Sequence, residues 1–496
     1  MRPLLLHPSV SFDFDQPLPV NADALRQDLA LDRVLEGMAR GDPLLLEVAT
    51  KVVLASVDQP DVIAYRQRVL RDCLQHRSVV RQLYDLAAGA IEEERRIFRN
   101  MFGQLPDAVL YRSRQRLELF IKTLRRLRAL STDHQAEFES DGFLRFFRML
   151  EEQLGEDYLV ELEEHLRKLA LRDGVLLSAR LGVSNRGHGY VLRRPRPTGD
   201  GWRARLGNGR RSAYAFSVNP NDETGVRALT EMQGRGIALV ANAFAEATEH
   251  ILAFLVALRA ELGFYLGCSQ LHDAVRERGA PSCFPEVLPC QTLALSAANL
   301  RDVSLLLAAE GEVVGNDLTA DGATLIMITG ANQGGKSTFL RSVGLAQLML
   351  QSGMFVVAES FRGSVASGLF THFKREEDQA LESGKLDEEL RRMSGIVEQL
   401  KPGAIVLCNE SFTSTNEREG SEIGRQVVHG LVESGIRVLF VNHLFDLADS
   451  LRREAREGAL FLRAERAPDG SRTYRVREGD PLPTSFGQDL YQRIFG

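Results

Sequence analysis

A glycine-rich loop at residues 329–338 constrains the fold more than any other feature of this sequence. It reads TGANQGGKST and fits the phosphate-loop pattern G-x-x-x-x-G-K-[ST]. The apolar run 325–328 before it predicts a buried strand, and apolar residues with helical spacing follow it as far as residue 350. In this strand–loop–helix context the glycines let backbone N–H groups face a phosphate, and the helix N-terminus adds partial positive charge. The loop therefore predicts a nucleotide-binding site.

The loop also predicts which side chains contact the nucleotide. Lys336 is expected to reach the β- and γ-phosphates, and Ser337 to supply a hydroxyl to Mg²⁺. We therefore expect ATP and Mg²⁺ as cofactors. The predicted nucleotide-binding residues are Gly330, Asn332, Gly334, Gly335, Lys336, Ser337 and Thr338.

Two further strand ends carry candidate catalytic residues. The apolar run 404–408 ends in Asn409 and Glu410, where hydrolytic P-loop proteins place a metal-binding acid and a water-orienting Glu. Asn409 keeps a carbonyl acceptor without the charge, so we expect it to face the metal and to bind it more weakly than an Asp. Glu410 is predicted to be the general base; the alternative is an exposed loop carboxylate. His443 follows the strand 438–441 and is predicted to sense the γ-phosphate; the alternative is a structural histidine.

Composition narrows the protein class. A chain of 496 residues with 44% hydrophobic residues has room for about three domains. Its five cysteines form no C-x-x-C pair, so neither a disulfide framework nor a zinc site is expected. We see no signal peptide and no uninterrupted apolar run of membrane-spanning length, and we expect a soluble, cytoplasmic protein. The net charge of −6 means that any nucleic-acid-binding surface must be local.

Periodicity predicts a multidomain α and α/β protein. Residues 1–135 are expected to form a helical core, and 136–173 and 224–283 two long lever helices that pair antiparallel because neither can bury its apolar stripe alone. Residues 174–223 are expected to form a small β tip, and 284–496 an α/β domain with a mainly parallel sheet. Its strands are predicted at 325–328, 355–358, 404–408 and 438–441, and a hairpin at 459–462 and 473–476.

The predicted β tip is rich in arginine. One interpretation is a basic finger that grips a phosphate backbone without sequence preference. The other is a solvated hairpin surface with its aromatic residues as a small core. The candidate DNA-binding residues are Arg186, Arg193, Arg194, Arg203, Arg205, Arg210 and Arg211.

The motifs together resemble the MutS family, whose phosphate loop usually reads TGPNMGGKST. Asn316 ahead of the loop strand, Asn409-Glu410, the LFVNH segment at 439–443 and the SFG at 485–487 look like that family's other ATPase motifs. The resemblance is specific over 285–496 and weaker over 21–284. It implies an ABC-type P-loop ATPase domain, two nucleotides sandwiched in a dimer, and a helical lever that ends in a clamp around DNA.

The chain also departs from the family pattern. Helical sequence begins near residue 21, so we expect no N-terminal mismatch-recognition domain. Val313 stands where the family has an adenine-stacking Phe, and its trans-acting Ser corresponds only loosely to the segment 383–385. The chain ends soon after 485–487, and we therefore expect a homodimer that depends on ATP.

The sequence thus gives two functional hypotheses. The first is a MutS-related ATPase, with a function in DNA repair, that binds duplex or branched DNA by shape and backbone contacts and couples this grip to ATP-driven dimerisation. The second is a nucleotide-gated scaffold for a protein partner, with weak hydrolysis and no DNA binding.

Overall fold

The computed structural model describes most of the chain and divides it into two compact units. The helical unit comprises residues 1–3, 82–135 and 146–259, and the sheet unit comprises 4–81, 136–145 and 260–496. The described residues are 1–98, 106–171, 175–182, 187–193, 217–219, 221–375, 384–454, 458–467 and 469–483.

The described residues form helices throughout the chain and strands that belong to three sheets. The α-helices are α1 (Ala22–Asp28), α2 (Leu31–Ala39), α3 (Pro43–Leu54), α4 (Pro60–Gln75), α5 (Arg77–Phe98), α6 (Pro106–His134), α7 (Asp141–Gln153), α8 (Glu156–Lys168), α9 (Glu223–Glu277), α10 (Val303–Ala308), α11 (Lys336–Gln351), α12 (Lys385–Val397), α13 (Glu417–Glu433) and α14 (Phe445–Glu454). The strands are β1 (Leu177–Leu181), β2 (Gly187–Leu192), β3 (Glu286–Leu288), β4 (Leu295–Leu300), β5 (Asn316–Thr319), β6 (Leu325–Gly330), β7 (Ser360–Ser364), β8 (Leu369–Phe373), β9 (Ile405–Asn409), β10 (Arg437–Val441), β11 (Ala459–Arg466) and β12 (Arg472–Glu478).

In the helical unit, α6, α8 and α9 share an apolar seam. Leu117 and Ile121 of α6 pack with Leu166 of α8, and Phe244 and Ile251 of α9 join the same cluster. Each helix buries one stripe and leaves its charged faces outside, as amphipathic helices do. The seam supports the prediction that these helices are stable only together.

Ion pairs fix the relative directions of these three helices. Along α6, Arg116 pairs with Glu249 of α9, while Leu110, earlier in the same helix, packs on Ile237. The helices α6 and α9 are therefore parallel. Arg128 pairs with Glu156 at the start of α8, whereas Leu166 near its end packs on Leu117, so α8 is antiparallel to both. The antiparallel pairing predicted from the sequence is confirmed.

The extents of the long helices differ from the prediction. The predicted lever at 136–173 contains two helices, α7 and α8, because Gly155 at the start of α8 has extended backbone (φ −53°, ψ 144°) and breaks the helix. The predicted lever at 224–283 is the single helix α9, which ends at Glu277 and includes the fully buried Tyr265, Leu271 and Val275.

Among the helices of the described residues, α9 is long and apolar enough to cross a membrane. However, 67% of its most apolar stretch is buried inside the fold. This burial is the pattern of a core helix, whose apolar residues contact protein.

The predicted β tip contains an antiparallel hairpin in its described part. The strands β1 and β2 pair with Leu177 opposite Leu192 and Leu181 opposite Gly187, and the register shifts once between Ser178 and Arg180. Both strands lie within the predicted β tip, 174–223. Most of the rest of the tip, 194–216, lies outside the described residues.

The sheet unit contains the nucleotide-loop strand at the centre of a six-stranded sheet. The strand order is β12-β11-β6-β10-β9-β8, and all neighbours are parallel except β11 and β12. A four-stranded sheet of order β3-β7-β4-β5 belongs to the same unit. Because helices cover both faces of the larger sheet, its inner strands are continuous apolar runs, and Met327, Val406 and Phe440 are fully buried.

One predicted strand is wrong. Residues 355–358 make only an isolated bridge between Val356 and Cys283. The strands of this region are β7 in the smaller sheet and β8 at the edge of the larger one. The apolar run is buried because it passes through the core as a connection, which periodicity alone cannot distinguish from a strand.

Candidate nucleotide-binding site

The parallel strands bring the predicted motifs to one edge of the sheet. Gly330 ends β6, Asn409 ends β9, and Val441 ends β10, which lies between them. Carboxyl ends of parallel strands are where α/β sheets bind ligands. Three motifs that lie up to 113 residues apart in sequence, from 330 to 443, therefore converge at the start of α11.

The glycines of the loop are required by its backbone. Gly330 has φ +112°, and a Cβ there would lie 2.8 Å from the backbone nitrogen of Ala464 on β11. Gly335 has φ +89°, and a Cβ there would lie 3.3 Å from the backbone carbonyl oxygen of Tyr474. Only glycine adopts these conformations without strain at such close contacts.

Lys336 is the first residue of α11 and is 5% exposed. Its Nζ donates hydrogen bonds to the carbonyl oxygens of Gly330 (2.9 Å) and Ala331 (3.0 Å). Burial lowers the pKa of this lysine, and the carboxylate of Glu410 opposes the shift. The ammonium group is thus held over the mouth of the loop by contacts that an incoming phosphate can replace.

Two oxygen donors suited to Mg²⁺ lie beside the loop. Ser337 Oγ donates a hydrogen bond to Asn409 Oδ1 at 2.8 Å, so the hydroxyl and the amide carbonyl already face each other. Mg²⁺ prefers such hard oxygen ligands and keeps several of its waters. These two residues fit the ion, although the pair lacks the negative charge that an Asp at 409 would supply.

Glu410 and His443 face each other across the same cleft. His443 Nδ1 lies 3.9 Å from Glu410 Oε1, and both side chains are about one-third exposed. Glu410 has φ +54°, rare for a residue with a side chain, and its N–H donates to the carbonyl of Val441 at 2.9 Å. The backbone therefore turns sharply at the end of β9 and projects the carboxylate from the strand edge.

The residues around the loop enclose a cleft of about 570 Å³. That volume falls in the range of small-molecule sites. Six of the seven predicted loop residues line it, and Gly330 lies just behind them. The lining residues are Leu305, Ala309, Gly311, Glu312, Val313, Val314, Asn316, Asn332, Gln333, Gly334, Gly335, Lys336, Ser337, Thr338, Glu410, His443 and Tyr474.

Tyr474 is a site residue that the sequence analysis missed. It lies on β12, is 52% exposed, and lines the cleft together with Val313. Asn316 holds this part of β12, since its Nδ2 donates to the carbonyl of Tyr474 (3.2 Å) and its Oδ1 accepts from the N–H of Val476 (2.7 Å). The signal was the hairpin itself, but the sequence did not reveal that β11 pairs with β6 and so brings the hairpin to the loop.

Arg472 adds a cation from the same hairpin. Its Nε donates to the carbonyl of Asn332 at 3.2 Å, and its charge contributes to the lowered pKa of Lys336. Arg472 lies two residues before Tyr474 on the same strand, β12. The hairpin thus forms one wall of the cleft.

Several predicted residues fall outside this cleft or outside the described residues. Arg193 adjoins β2, where its N–H donates to the carbonyl of Leu176 (2.8 Å) and its Nε to Ser178 Oγ (2.9 Å). Of the segment 383–385, only Gly384 and Lys385 are described, at the start of α12. Outside the described residues lie Arg186, Arg194, Arg203, Arg205, Arg210, Arg211, Ser383 and the SFG segment 485–487.

A central parallel sheet with a phosphate loop after one strand and a carboxylate, Glu410, after another defines a P-loop ATPase domain. Two family models match the chain: the MutS2 N-terminal domain over residues 58–278 and MutS domain V over residues 326–490. The chain belongs to the MutS family, with domain V, an ABC-type ATPase domain, as its C-terminal part.

Individual relatives match over the ATPase region. The DNA mismatch repair protein MutS of Chloroflexus aurantiacus is 34% identical over 146 residues, which are 28% of this chain and 15% of that protein. MutS protein homolog 4 of Mus musculus is 30% identical over 141 residues, 28% of this chain and 15% of that one. The DNA mismatch repair protein MutS of Myxococcus xanthus is 31% identical over 176 residues, 35% and 20% of the two chains. The matched region thus spans a fifth or less of each relative.

Proposed function

We propose that this protein binds and hydrolyses ATP with Mg²⁺, dimerises when ATP is bound, and couples that cycle to a grip on DNA by shape and backbone contacts. The observation that carries the proposal is the cleft in which the loop, Glu410 and His443 meet. The family supplies the ATPase class, while hydrolysis, dimerisation and DNA binding are the proposed steps.

The loop side of the cleft binds the nucleotide. The N–H groups at the start of α11 and the ammonium of Lys336 neutralise the phosphates. Tyr474 provides an aromatic face for the base in place of the Phe expected at Val313. Bound Mg²⁺ would be held by Ser337 and Asn409 and would offset phosphate charge.

The opposite side of the cleft directs hydrolysis. The carboxylate of Glu410 accepts a hydrogen bond from the attacking water and orients it toward the γ-phosphate. His443, 3.9 Å from that carboxylate, is placed to contact both the carboxylate and the terminal phosphate.

Glu410→Ala is the test of the hydrolytic step. We expect the rate of multiple-turnover hydrolysis to fall roughly 100-fold or more, as it does when a general base is lost. ATP-dependent dimerisation, measured by light scattering, should persist. Glu433→Ala, which removes an exposed carboxylate at the end of α13, is the matched control. A Glu410→Ala protein that hydrolyses ATP at the wild-type rate would remove this residue from the mechanism.

The DNA step rests on the arginines of the tip and on the antiparallel helices that carry the hairpin. Replacing Arg203, Arg205 and Arg210 by Ala should weaken DNA binding. It should also reduce the slope of log binding constant against log salt concentration by about one for each phosphate that is no longer neutralised. The control replaces three exposed arginines of the ATPase domain, Arg391, Arg418 and Arg453. Equal affinity in both triple variants would eliminate the tip from DNA binding.

The second candidate is a nucleotide-gated scaffold, which the uncharged Asn409 favours because it weakens the metal site. A gel-shift panel of duplex, forked and four-way DNA, each with and without ATP, separates the candidates. ATP-dependent binding to any of these DNAs supports the first, and absence of binding to all of them at low salt supports the scaffold.

A further inference from the structure

The segment that carries Glu410 is strained. Glu410 has φ +54° and Phe412 has φ +61°, so two residues with side chains adopt left-handed backbone on either side of Ser411. Such conformations persist only where surrounding contacts over-determine them, and they concentrate at functional sites. The contacts that hold Ser411 and Phe412 therefore decide where the Glu410 carboxylate lies.

Several of those contacts come from one residue, His372 on the edge strand β8. Both His372 and Ser411 are fully buried. Ser411 Oγ lies 2.7 Å from His372 Nδ1 and 2.7 Å from the His372 carbonyl oxygen. The imidazole also stacks on the ring of Phe412, with centroids 5.4 Å apart and planes 25° apart. A single histidine thus contacts both residues that follow Glu410.

The other ring nitrogen fixes the tautomer. His372 Nε2 lies 3.0 Å from the carbonyl oxygen of Glu389 on α12. A carbonyl only accepts, so Nε2 carries the hydrogen. Burial, with Arg392 nearby, lowers the pKa of His372 to about 4, and the ring is neutral at physiological pH. Nδ1 is then a bare acceptor, and it shares the Ser411 hydroxyl proton with the His372 carbonyl oxygen.

A second link joins α12 to the same loop. Glu389 is 4% exposed, and its Oε1 accepts a hydrogen bond from Ser414 Oγ at 2.9 Å. Burial raises the pKa of this carboxyl, and the Ser414 hydrogen bond opposes the shift. Glu389 of α12 is therefore linked to the segment after Glu410 in two ways. Its backbone carbonyl binds His372, which contacts Ser411, and its carboxylate binds Ser414 directly.

We propose that His372 is a positioning residue for hydrolysis: it holds Glu410 toward the cleft by binding Ser411 and Phe412, and it ties that position to α12. The inference rests on the proposed role of Glu410. His372 does not line the cleft, so it acts on the hydrolytic step and leaves nucleotide binding to the loop.

Paired substitutions test this inference. His372→Leu keeps the backbone carbonyl that accepts from Ser411 but removes the Nδ1 contact and the ring that stacks on Phe412. We expect kcat for ATP hydrolysis to fall roughly 10- to 100-fold, the effect of misplacing a catalytic group by about 1 Å. The nucleotide Kd should stay within about threefold of the wild-type value, a change of about 0.7 kcal/mol. His372→Asn keeps an acceptor near the Nδ1 position and should restore most of kcat. Ser411→Ala should reproduce the loss of kcat, and His429→Leu on exposed α13 is the matched control.

Three kinetic outcomes overturn the proposal: wild-type kcat in both His372→Leu and Ser411→Ala, no rescue by Asn in a folded variant, or parallel losses of kcat and nucleotide affinity. Crystal structures of the His372 variants test it independently of turnover. The Glu410–His443 approach and the positive φ of Glu410 should be lost with Leu and kept with Asn. A wild-type protein that binds ATP without hydrolysing it contradicts the proposed function, whereas an unmoved Glu410 in His372→Leu contradicts the positioning role alone.

Discussion

At the scale of single residues, the base side of the cleft depends on Tyr474. Tyr474 lies on β12, is half exposed, and lines the same cleft as Val313. Tyr474→Ala should weaken ATP binding roughly 5- to 100-fold, since a base–aromatic stack contributes about 1–3 kcal/mol. Tyr474→Phe keeps the ring and should bind normally. Fluorescent-nucleotide titration measures both, with Tyr158→Ala on exposed α8 as control, and equal affinity of the Ala and Phe variants contradicts the stacking role.

Asn409 determines a second residue-scale prediction. Its amide oxygen meets the Ser337 hydroxyl but carries no charge. Asn409→Asp should lower the Mg²⁺ concentration for half-maximal ATP binding by roughly threefold or more, the scale of one partly screened charge contact. Asn416→Asp, at the cap of α13, is the control. An unchanged or raised Mg²⁺ requirement would show that residue 409 does not face the metal.

At the scale of elements, α9 binds the N-terminal segment through one buried carboxylate. Glu261 accepts hydrogen bonds from the N–H groups of Leu5 (2.5 Å), Leu6 (3.4 Å) and Phe12 (3.1 Å). Burial raises its pKa to about 7, although these donors and Arg66 favour the charged form. The folded state therefore holds the proton more tightly than the unfolded state does.

This shift predicts how stability depends on pH. The contribution of Glu261 is fully present below its unfolded pKa near 4.5 and is lost as pH rises through about 7. From pH 5 to pH 8 the loss is about 2–3 kcal/mol in the free energy of unfolding. Glu261→Gln should remove this dependence in urea titrations at the two pH values, whereas Glu246→Gln, at an exposed position of α9, should not. Parallel curves for wild type and Glu261→Gln would contradict the assignment.

The elements also show what the sequence could predict. The helix α11 and the strands β6, β9 and β10 were predictable because local apolar pattern and glycine punctuation agree there with the tertiary fold. The strand β8 was missed, and a buried connection at 355–358 was mistaken for a strand, because burial and strand pairing give the same apolar run. Tyr474 and His372 could not be found from local sequence, because their roles arise from the pairing of β11 with β6 and of β8 with β9.

At the scale of the whole molecule, the chain combines a MutS ATPase domain with a MutS2 N-terminal domain whose long helices carry a β hairpin. The proposed cycle begins with nucleotide binding at the loop, and both dimerisation and DNA grip depend on that event. Lys336 brings a buried positive charge to the loop, where its Nζ contacts the carbonyl oxygens of Gly330 and Ala331.

Equilibrium binding of labelled ATP with Mg²⁺ tests this central claim most directly. Wild-type protein and the control Lys401→Ala should retain the nucleotide, and Lys336→Ala should lose affinity roughly 10- to 100-fold, the value of a charge-assisted contact of about 1.5–3 kcal/mol. Wild-type protein that fails to bind at millimolar ATP, or a Lys336→Ala protein that binds as tightly as wild type, would contradict the account.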